Sequence, residues 1–476
     1  MALKGTTKIE LTNVKTGEVE ILQETNMVTN AISDILNTDP LHLRWGSDLF
    51  RGYCLPILNN LVGGIVLFEN KLEEDPAKYY ALESNPIIGY SNMEVSPDTD
   101  VKRGSMNQTE SGPLEDGTGY RFVFDFANTQ GNGKISAVSL TSAHMGACGY
   151  SAEVYDDHVA SSDNNYMANR KTAFPLEAYY AQEAGNTKNA RLASCITSMD
   201  IENGCVYALV SEEANSISVY RFPLFMDEVG LFSKKAICDP ELFHTITTTS
   251  FQSRNPTSTN YYSFCDGGDG FVWGFEGKNN AEVGGTIGWI KIDKSDWTAT
   301  EGTWTLPVNV YAGGSLSSIS ASSFINRCKT LVKDGFAYFI ASGNKSIVIV
   351  NVNNPTDITV QESQKDITPF YTSSPCCYMN TLGNVVYLSG AHIKDRTLYD
   401  GYPQTNNRYV PGLYQTGRPN VRYGPVVFGF AENSTNINVR MCLDNSYLAT
   451  INNLQTSVQK TADKTMKITY ILREES

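Results

Sequence analysis

A short pattern recurs in the middle of this 476-residue chain: a turn ending in glycine, then three residues of strand character with an aromatic third. The copies are NGCVY at 203–207, DGFVW at 269–273 and DGFAY at 334–338, with a looser copy, LGNVVY, at 382–387. The aligned positions 204, 270, 335 and 384 are 66, 65 and 49 residues apart. A unit repeated at such intervals must bury its apolar strands against its neighbours, which limits the folds open to the chain.

Each of the first three copies is followed by a second apolar strand and preceded by a segment with a cysteine. The second strands are 216–220, 286–292 and 346–352, and the cysteines before the four copies are Cys195, Cys265, Cys328 and Cys376. Strand, turn, strand, turn, strand and a long connector is typical of a β-propeller blade. Common blades have about 40 to 50 residues, so these units need insertions. Four or five units can be counted, since residues 444–449 are either a fifth copy or belong elsewhere. The alternative is a β-sandwich or jelly roll.

Composition supports a mainly β fold. The chain has 38 Gly, 26 Tyr and 20 Phe, and long helical patterns are scarce. Aromatic and β-branched residues suit a pleated sheet, while Gly and Asn suit the turns between strands. Charged residues are only 18% of the chain, which is not typical of a disordered protein. The length predicts two or three domains.

The first 40 residues predict a hairpin and one short helix. Residues 8–14 alternate polar and apolar, 15–18 form a turn, and 19–22 return. Thr29 is a suitable cap for a helix over about residues 30–37, and Pro40 limits its length.

A second hairpin is predicted from an aromatic row. In residues 120–126, Tyr120, Phe122, Phe124 and Phe126 lie on one face because side chains alternate along a strand. Residues 129–134 form the turn, and 135–141 are expected to pair back. The row needs a covering layer or a partner chain.

Charge and cysteine content exclude several classes of function. With 37 basic and 51 acidic residues the net charge is −14, so nucleic acid is not an expected partner. The longest apolar window, 55–68, contains Asn59 and Asn60, so no membrane span is predicted, and no secretion signal is expected. The ten cysteines form no C-x₂-C pair, and we interpret them as small buried apolar residues in a reducing compartment.

No constellation of catalytic, cofactor or metal residues is predicted. The histidines, at positions 42, 144, 158, 244 and 392, have no metal-site spacing. The segment 156–158 (DDH) is interpreted as a solvated loop, and 266–270 (DGGDG) as a turn despite its likeness to a calcium loop. Carboxylate pairs for glycoside cleavage cannot be recognised by spacing. The connectors 163–189 and 245–260 suit polar contacts with sugars or a partner, or simple hydration.

The two ends of the chain carry a resemblance that the middle lacks. Residues 8–31, 55–68, 121–136 and 448–470 resemble structural proteins of bacteriophage tails, tail fibres and receptor-binding devices. The resemblance covers about the first 150 and the last 30 residues and carries no catalytic residue. It implies a virion protein made in the host cytoplasm and assembled with other tail proteins, as a homo-oligomer. Host cell-surface polysaccharide is the further partner expected.

Together these patterns predict a mainly β protein with a β-sandwich-like N-terminal module completed by C-terminal strands, and a central β-propeller-like domain. The predicted boundaries are 1–150 for the module, 151–189 for a connector, 190–440 for the propeller-like domain and 441–476 for the returning strands. The leading hypothesis is a tail component without enzymatic activity. The alternatives are a carbohydrate-degrading tailspike and a pure virion scaffold.

Overall fold

The computed structural model divides the chain into two compact units. One, the terminal module, comprises residues 1–36, 51–174 and 443–476; the other, the propeller-like unit, comprises 37–50 and 175–442. Most of the described residues lie in strands, and only two short helices occur among them. The structure describes residues 3–38, 61–81, 85–92, 101–142, 173–174, 180–183, 187–193, 195–200, 203–213, 215–223, 239–251, 263–276, 285–311, 330–341, 345–364, 367, 380–382, 385–388, 391–394, 396–400, 421–433, 436–444 and 447–474. Neither helix in these ranges has the length and apolarity of a membrane crossing.

The first part of the chain supplies eight strands and one helix. They are β1 Leu3–Asn13, β2 Val19–Val28, α1 Ala31–Thr38, β3 Gly64–Phe68, β4 Ile87–Ser91, β5 Ser105–Met106, β6 Gly112–Pro113, β7 Gly119–Phe126 and β8 Gly133–Thr141.

The middle of the chain supplies most of the remaining strands and a second helix. They are β9 Ala173–Phe174, β10 Tyr180–Glu183, α2 Thr187–Ala193, β11 Ile196–Asp200, β12 Cys205–Glu213, β13 Ser216–Pro223, β14 Glu241–Thr247, β15 Ser263–Asp266, β16 Phe271–Phe275, β17 Thr286–Asp293, β18 Ala299–Thr305, β19 Val310–Tyr311, β20 Thr330–Lys333, β21 Phe336–Ala341, β22 Ser346–Asn351, β23 Ile358–Glu362, β24 Asn380–Leu382, β25 Val385–Leu388, β26 Ala391–Lys394, β27 Thr397–Asp400, β28 Val421–Tyr423, β29 Val426–Asn433 and β30 Asn436–Asp444. Two long strands end the chain, β31 Thr450–Lys460 and β32 Lys464–Glu474.

The terminal module is one antiparallel sheet that nearly closes on itself. Its strand order is β4-β3-β8-β31-β2-β1-β32-β7-β5, and β6 pairs with β7. The two ends of the sheet are joined through Tyr90, whose N–H donates to Lys102 O (3.0 Å) and whose carbonyl accepts from Gly104 N (2.8 Å). The predicted fold class is confirmed: the protein is mainly β, with an N-terminal module completed by C-terminal strands and a propeller-like central part.

The C-terminal strand β32 lies between two N-terminal strands. It pairs with β1 along eleven residues, from Leu3–Glu474 to Asn13–Lys464, and with β7 along eight. Its alternate side chains Met466, Ile468 and Tyr470 are buried. Without β32, both β1 and β7 would expose an unpaired edge and half of the core would lose its lining.

The N-terminal hairpin and helix form as predicted. β1 and β2 pair in continuous register through the turn at residues 14–18. The Thr29 hydroxyl oxygen accepts from Ala31 N (3.3 Å) at the start of α1 and donates to Leu448 O (2.6 Å). Thr29 therefore caps the helix and fixes it to the returning C-terminal segment.

The second predicted hairpin is wrong in its pairing. β7 and β8 both form, but β7 pairs with β32, β5 and β6, and β8 pairs with β3 and β31. The turn residues between them carry the chain to a different part of the sheet, because the long C-terminal strands are the better partners. The aromatic row is buried as expected, with Phe122, Phe124 and Phe126 at most 6% exposed, and β32 lies beside it in the same sheet.

Lys460, at the end of β31, is fully buried in the module. Its ammonium donates to Ala127 O (2.9 Å), Asn128 O (3.5 Å) and Asn132 Oδ1 (2.8 Å), and so holds the connection between β7 and β8. Burial lowers the pKa of Lys460 to about 8.

The propeller-like unit contains five small antiparallel sheets among its described residues. In strand order they are β11-β12-β13-β14, β15-β16-β17-β18, β19-β21-β22-β23 with β20 on β21, β24-β25-β26-β27, and β10-β30-β29-β28. We number them sheets 1 to 5 in that order. Strands of successive sheets lie beside one another. β28 of sheet 5 lies beside β11 of sheet 1, β11 beside β15 of sheet 2, and β15 beside β20 of sheet 3. Sheet 5 joins a strand from before the repeats to strands from after them, which closes the unit.

The fifth repeat does not lie at residues 444–449, the position considered for it in the sequence analysis. The turn between β28 and β29 contains Gly424, whose φ of 54° matches the positive φ of Gly204, Gly270 and Gly335 in the other copies. Residues 447–449 belong to the terminal module, where Leu448 bridges Thr141 and the Tyr447 hydroxyl donates to Leu61 O. The repeat was hidden because Val426–Phe428 begins after proline and carries its aromatic residue one position later.

Sheets 1, 2 and 3 carry buried side chains on both faces, and the repeat motif reflects this burial. In sheet 2, Val272 packs in the core shared with sheet 1, and the next residue, Trp273, packs in the core shared with sheet 3. The aromatic third residue always faces the following sheet: Tyr207 of sheet 1, Trp273 of sheet 2 and Tyr338 of sheet 3. A ring at this position therefore fills the wedge between neighbouring sheets.

Deleting residues 448–476 should unfold the terminal module, because it removes the strands on which β1, β7 and β8 depend. A milder test is Ile468→Ala, which should destabilise the module by about 2 to 5 kcal/mol, since Ile468 is wholly buried. Thr469→Ala, on the outer face of the same strand, is the control and should cost less than about 1 kcal/mol. Hydrogen exchange of β1 amides measures both. Equal protection in the two variants would contradict the central role of β32.

Stability of the terminal module should rise between pH 7.5 and 9.5. The folded Lys460 releases its proton near pH 8, while in the unfolded chain it keeps the proton to about 10.5, so the unfolded state binds more protons in this window. The expected gain is about 2 kcal/mol in the free energy of unfolding. Lys460→Met should abolish the rise. Above pH 10 the buried Tyr470, whose pKa is raised by burial, acts in the opposite direction. An identical slope in Lys460→Met would contradict the assignment.

Candidate binding surface

Turns with aspartate residues mark one edge of sheets 1 and 2 in the propeller-like unit. In an antiparallel four-stranded sheet, the connection between strands one and two and that between strands three and four lie at the same edge, here called the turn edge. Side chains of Asp200, Asp269, Asp293 and Asp296 accept backbone N–H bonds from the residues that follow them. These bonds fix the turns and orient the residues at the strand starts.

The loop that resembles a calcium site is such a turn. Asp266 accepts from Gly268 N (2.9 Å) and forms an ion pair with Lys294 (2.9 Å). Asp269 accepts from Phe271 N (3.2 Å) and from Trp273 Nε1 (3.3 Å). With its carboxylates engaged by a cation and by N–H donors, the loop is not arranged for a metal. In the parts of the chain that the structure describes, no three His, Cys, Asp or Glu residues gather as ligands would.

A basic side chain covers an aromatic ring in each of the first three sheets. Arg221 lies 5.1 Å from the ring centroid of Phe243, Lys291 lies 3.7 Å from that of Phe271, and Arg396 lies 4.8 Å from that of Phe336. The last pair joins a turn of sheet 4 to sheet 3. Cations over ring faces hold both groups in place and leave the ring edges for other contacts.

The cation–ring contact on sheet 1, between Arg221 and Phe243, belongs to a cluster of three aromatic rings. Tyr207 lies 4.6 Å from Trp297 and 5.5 Å from Phe243, and Phe243 lies 5.9 Å from Trp297, all between centroids. Trp297 comes from a turn of sheet 2 and has a φ of 61°, a strained value that the surrounding packing must maintain. We call Tyr207, Arg221, Glu241, Phe243 and Trp297 the aromatic surface.

Within the aromatic surface the inner rings are fixed and the outer one is accessible. Tyr207 and Trp297 are at most 7% exposed, whereas Phe243 is 40% exposed. Arg221 Nε donates to Glu241 Oε1 (2.6 Å), and the two charged groups flank the exposed ring. An apolar ring backed by rigid rings and bordered by a donor and an acceptor is typical of a site for an amphipathic ligand.

The electrostatics of this surface favour binding over catalysis. Burial raises the pKa of Tyr207 and of the Cys205 thiol beside it, so both keep their protons at neutral pH. A hydrogen bond to Glu241 raises the pKa of Arg221, so the guanidinium remains charged. The surface thus offers hydrogen bonds and ring contacts, but neither a thiolate nor a free base.

One connector is fixed to the neighbouring sheet by a single carboxylate. Glu301 of β18 accepts from the N–H groups of Thr249 (2.9 Å), Ser250 (2.7 Å) and Phe251 (2.7 Å), and from the Ser250 hydroxyl (2.9 Å). Burial alone would disfavour its ionisation, but the backbone donors outweigh burial and lower the pKa of Glu301. Glu301 therefore joins the chain after β14, and with it the aromatic surface, to sheet 2.

Few of the histidines, cysteines, acidic segments and connectors considered as functional candidates in the sequence belong to the aromatic surface. The segment 156–158, His42, His144 and His158, Cys328, Cys376 and Cys377, and most of the connectors 163–189 and 245–260 lie outside the described residues. His244 is exposed on β14, and His392 lies in β26 opposite Tyr399. Cys195, Cys205 and Cys265 are buried with free thiols. Sequence reasoning missed Phe243 and Trp297 because both follow the repeat motif at irregular distances.

Glu301→Gln should destabilise the propeller-like unit by about 1 to 3 kcal/mol, because the amide offers one acceptor oxygen and places an NH₂ group against backbone donors. Glu241→Gln is the matched control, and its exposed ion pair should be worth less than about 1 kcal/mol. Urea unfolding followed by tryptophan fluorescence reports on this unit. The difference between wild type and Glu301→Gln should vanish as the pH falls through the lowered pKa of Glu301. Equal losses in both variants would contradict the anchoring role.

No protein-family model matches the chain, and no curated protein matches it. Among solved structures, the chain is similar to the glutaminyl cyclase of Myxococcus xanthus at 10% identity, over 57% of this chain and 97% of that one, with a TM-score of 0.26. It is also similar to AztD from Citrobacter koseri at 11% identity, over 66% of this chain and 59% of that one, with a TM-score of 0.22. The apo form of AztD gives 11% identity, 72% and 92% coverage and a TM-score of 0.22. Similarities this low carry no argument about function.

Proposed function

We propose that this protein is a structural component, without catalytic activity, of a phage tail or tail-fibre apparatus. The terminal module holds the protein in the particle next to other tail proteins, in several copies. The propeller-like unit presents the aromatic surface to host cell-surface polysaccharide. The resemblance of the two chain ends to phage tail proteins supports the first part of this proposal.

The observation that carries the binding part is the exposed ring of Phe243 beside the Arg221–Glu241 pair. Sugars present apolar C–H faces together with hydroxyl groups, so the exposed part of the Phe243 ring supplies an apolar contact while a guanidinium and a carboxylate supply a donor and an acceptor. Tyr207 and Trp297 hold the ring in place, which lowers the entropy lost on binding.

Phe243→Ala should weaken binding of the full-length protein to host cells about tenfold, because the contact between this ring and a sugar contributes about 1 to 1.5 kcal/mol to the free energy of binding. Leu242→Ala, which removes an exposed apolar residue from the other face of β14, is the matched control and should leave binding unchanged. Affinity is measured on cells and on purified wall polysaccharide. Equal binding by Phe243→Ala and wild type would exclude the aromatic surface.

Two further measurements separate the proposal from its alternatives. Labelling the protein on virions and imaging by negative stain should place it on the tail, and a particle without label would end the assignment. Incubation with wall polysaccharide should leave the number of reducing ends constant. A steady increase would instead identify a carbohydrate-degrading tailspike, and absence of binding by a tail-located protein would identify a scaffold.

A further inference from the structure

Strand β2 leaves one edge of the terminal module open. From Val19 to Asn26 it pairs with β1 on one side, whereas on the other side the ladder to β31 is limited to Met27–Ile451 and Val28–Thr450. At Glu24 the contact with β31 is already a side-chain bond, in which Glu24 Oε1 accepts from Gln455 N (2.9 Å). Beyond that point β31 turns towards β8 through an irregularity between Asn453 and Val458.

The register shows which backbone groups face the open side. Asn13 N donates to Glu18 O (2.9 Å), and Thr29 N donates to Ala449 O (3.1 Å). Because bonding alternates along an antiparallel strand, even-numbered residues of β2 face β1 and odd-numbered residues face away from it. The N–H and C=O groups of Val19, Ile21 and Gln23 therefore point out of the sheet, with no ladder partner among the described strands.

This edge lacks the features that protect the other edges of the module. β5 and β6 have two residues each, and β4 is interrupted by a register shift and joined to residues 102–104. By contrast β2 is long, regular and free of proline, and Ile21 and Val19 on its outer face are 59% and 48% exposed. A long open edge with exposed apolar side chains favours pairing with another strand.

The charges on β2 indicate what kind of strand fits. Glu20 and Glu24 alternate with the apolar residues of β2, and Glu18 precedes them. Lys464 forms an ion pair with Glu20. Pairing with a second copy about Gln23 would set Glu20 against Asn26 and Glu24 against Leu22, with no basic residue opposite either carboxylate. Pairing about Leu22 would place Glu20 against Glu24 of the other chain, and pairing about Ile21 would place Glu18 against Glu24. Like charges directly opposite each other destabilise such a ladder. A strand that carries basic residues in alternation with apolar ones has no such conflict.

We propose that the open edge of β2 is a docking site for an extended segment of a different protein, in which basic and apolar residues alternate. The segment adds one strand to the sheet: its backbone bonds Val19, Ile21 and Gln23, its apolar side chains cover Val19 and Ile21, and its basic side chains face the glutamates. Resting on the proposed function, the partner is a neighbouring tail protein.

The test uses the full-length protein and a synthetic octapeptide, KVKIKVKI, with EVEIEVEI and the blocked sequence KKKKVVII as controls. KVKIKVKI should bind and slow hydrogen exchange in residues 19–25, and both controls should bind at least tenfold more weakly. Gln23→Pro removes an outward N–H without breaking the ladder to β1, so it should abolish binding. Gln23→Ala, the matched control, should bind as wild type does.

Three outcomes would overturn the inference. They are equal binding of KVKIKVKI to Gln23→Pro, slow exchange of the Val19, Ile21 and Gln23 amides in the free monomer, and concentration-dependent protection of these three amides without peptide, which would identify a second copy as the occupant. Virion labelling is independent of all three. Peptide binding without label on particles would leave the edge assigned and the tail function rejected, whereas label without peptide binding would do the reverse.

Discussion

The ladders of β32 with β1 and β7 are the interaction on which the terminal module depends. They hold the last strand of the chain between its first strand and the aromatic strand β7, so that the buried residues of all three form one continuous lining. Neither terminus has enough sequence to make this sheet alone. The central part of the chain is thus bounded by two halves of one folded structure, and whatever the centre binds is attached to the module at both ends.

The propeller-like unit is built on a different principle, burial on both faces of short sheets. Consecutive residues of one strand, such as Val272 and Trp273, belong to different cores, so sheet 2 shares one core with sheet 1 and another with sheet 3. Side chains that pack between sheets cannot also form a binding site. Recognition is therefore confined to the turn edges and outer strands, where Phe243 and Arg221 lie.

Local patterns predicted the elements well and their long-range partners poorly. The positive-φ glycines and alternating strands of the repeats, and Thr29 at the start of α1, act through neighbours in sequence, so the sequence alone revealed them. The pairing of β7 depends on residues 340 to 354 positions away, and the position of the fifth repeat on residues 253 to 259 positions away. The aromatic surface was missed for the same reason, since Tyr207, Phe243 and Trp297 meet only when sheets 1 and 2 are packed.

The late position of β31 and β32 has a consequence for the order of events during synthesis. Residues 142–449 separate β8 from the strand that it must pair with. At about 5 to 20 residues per second, roughly 15 to 60 seconds pass on the ribosome between the two. During this time the aromatic strand β7 is without its main partner, while the five sheets of the centre can already close. The edges of β7 and β8 that β32 and β31 will cover therefore remain open until the last residues emerge.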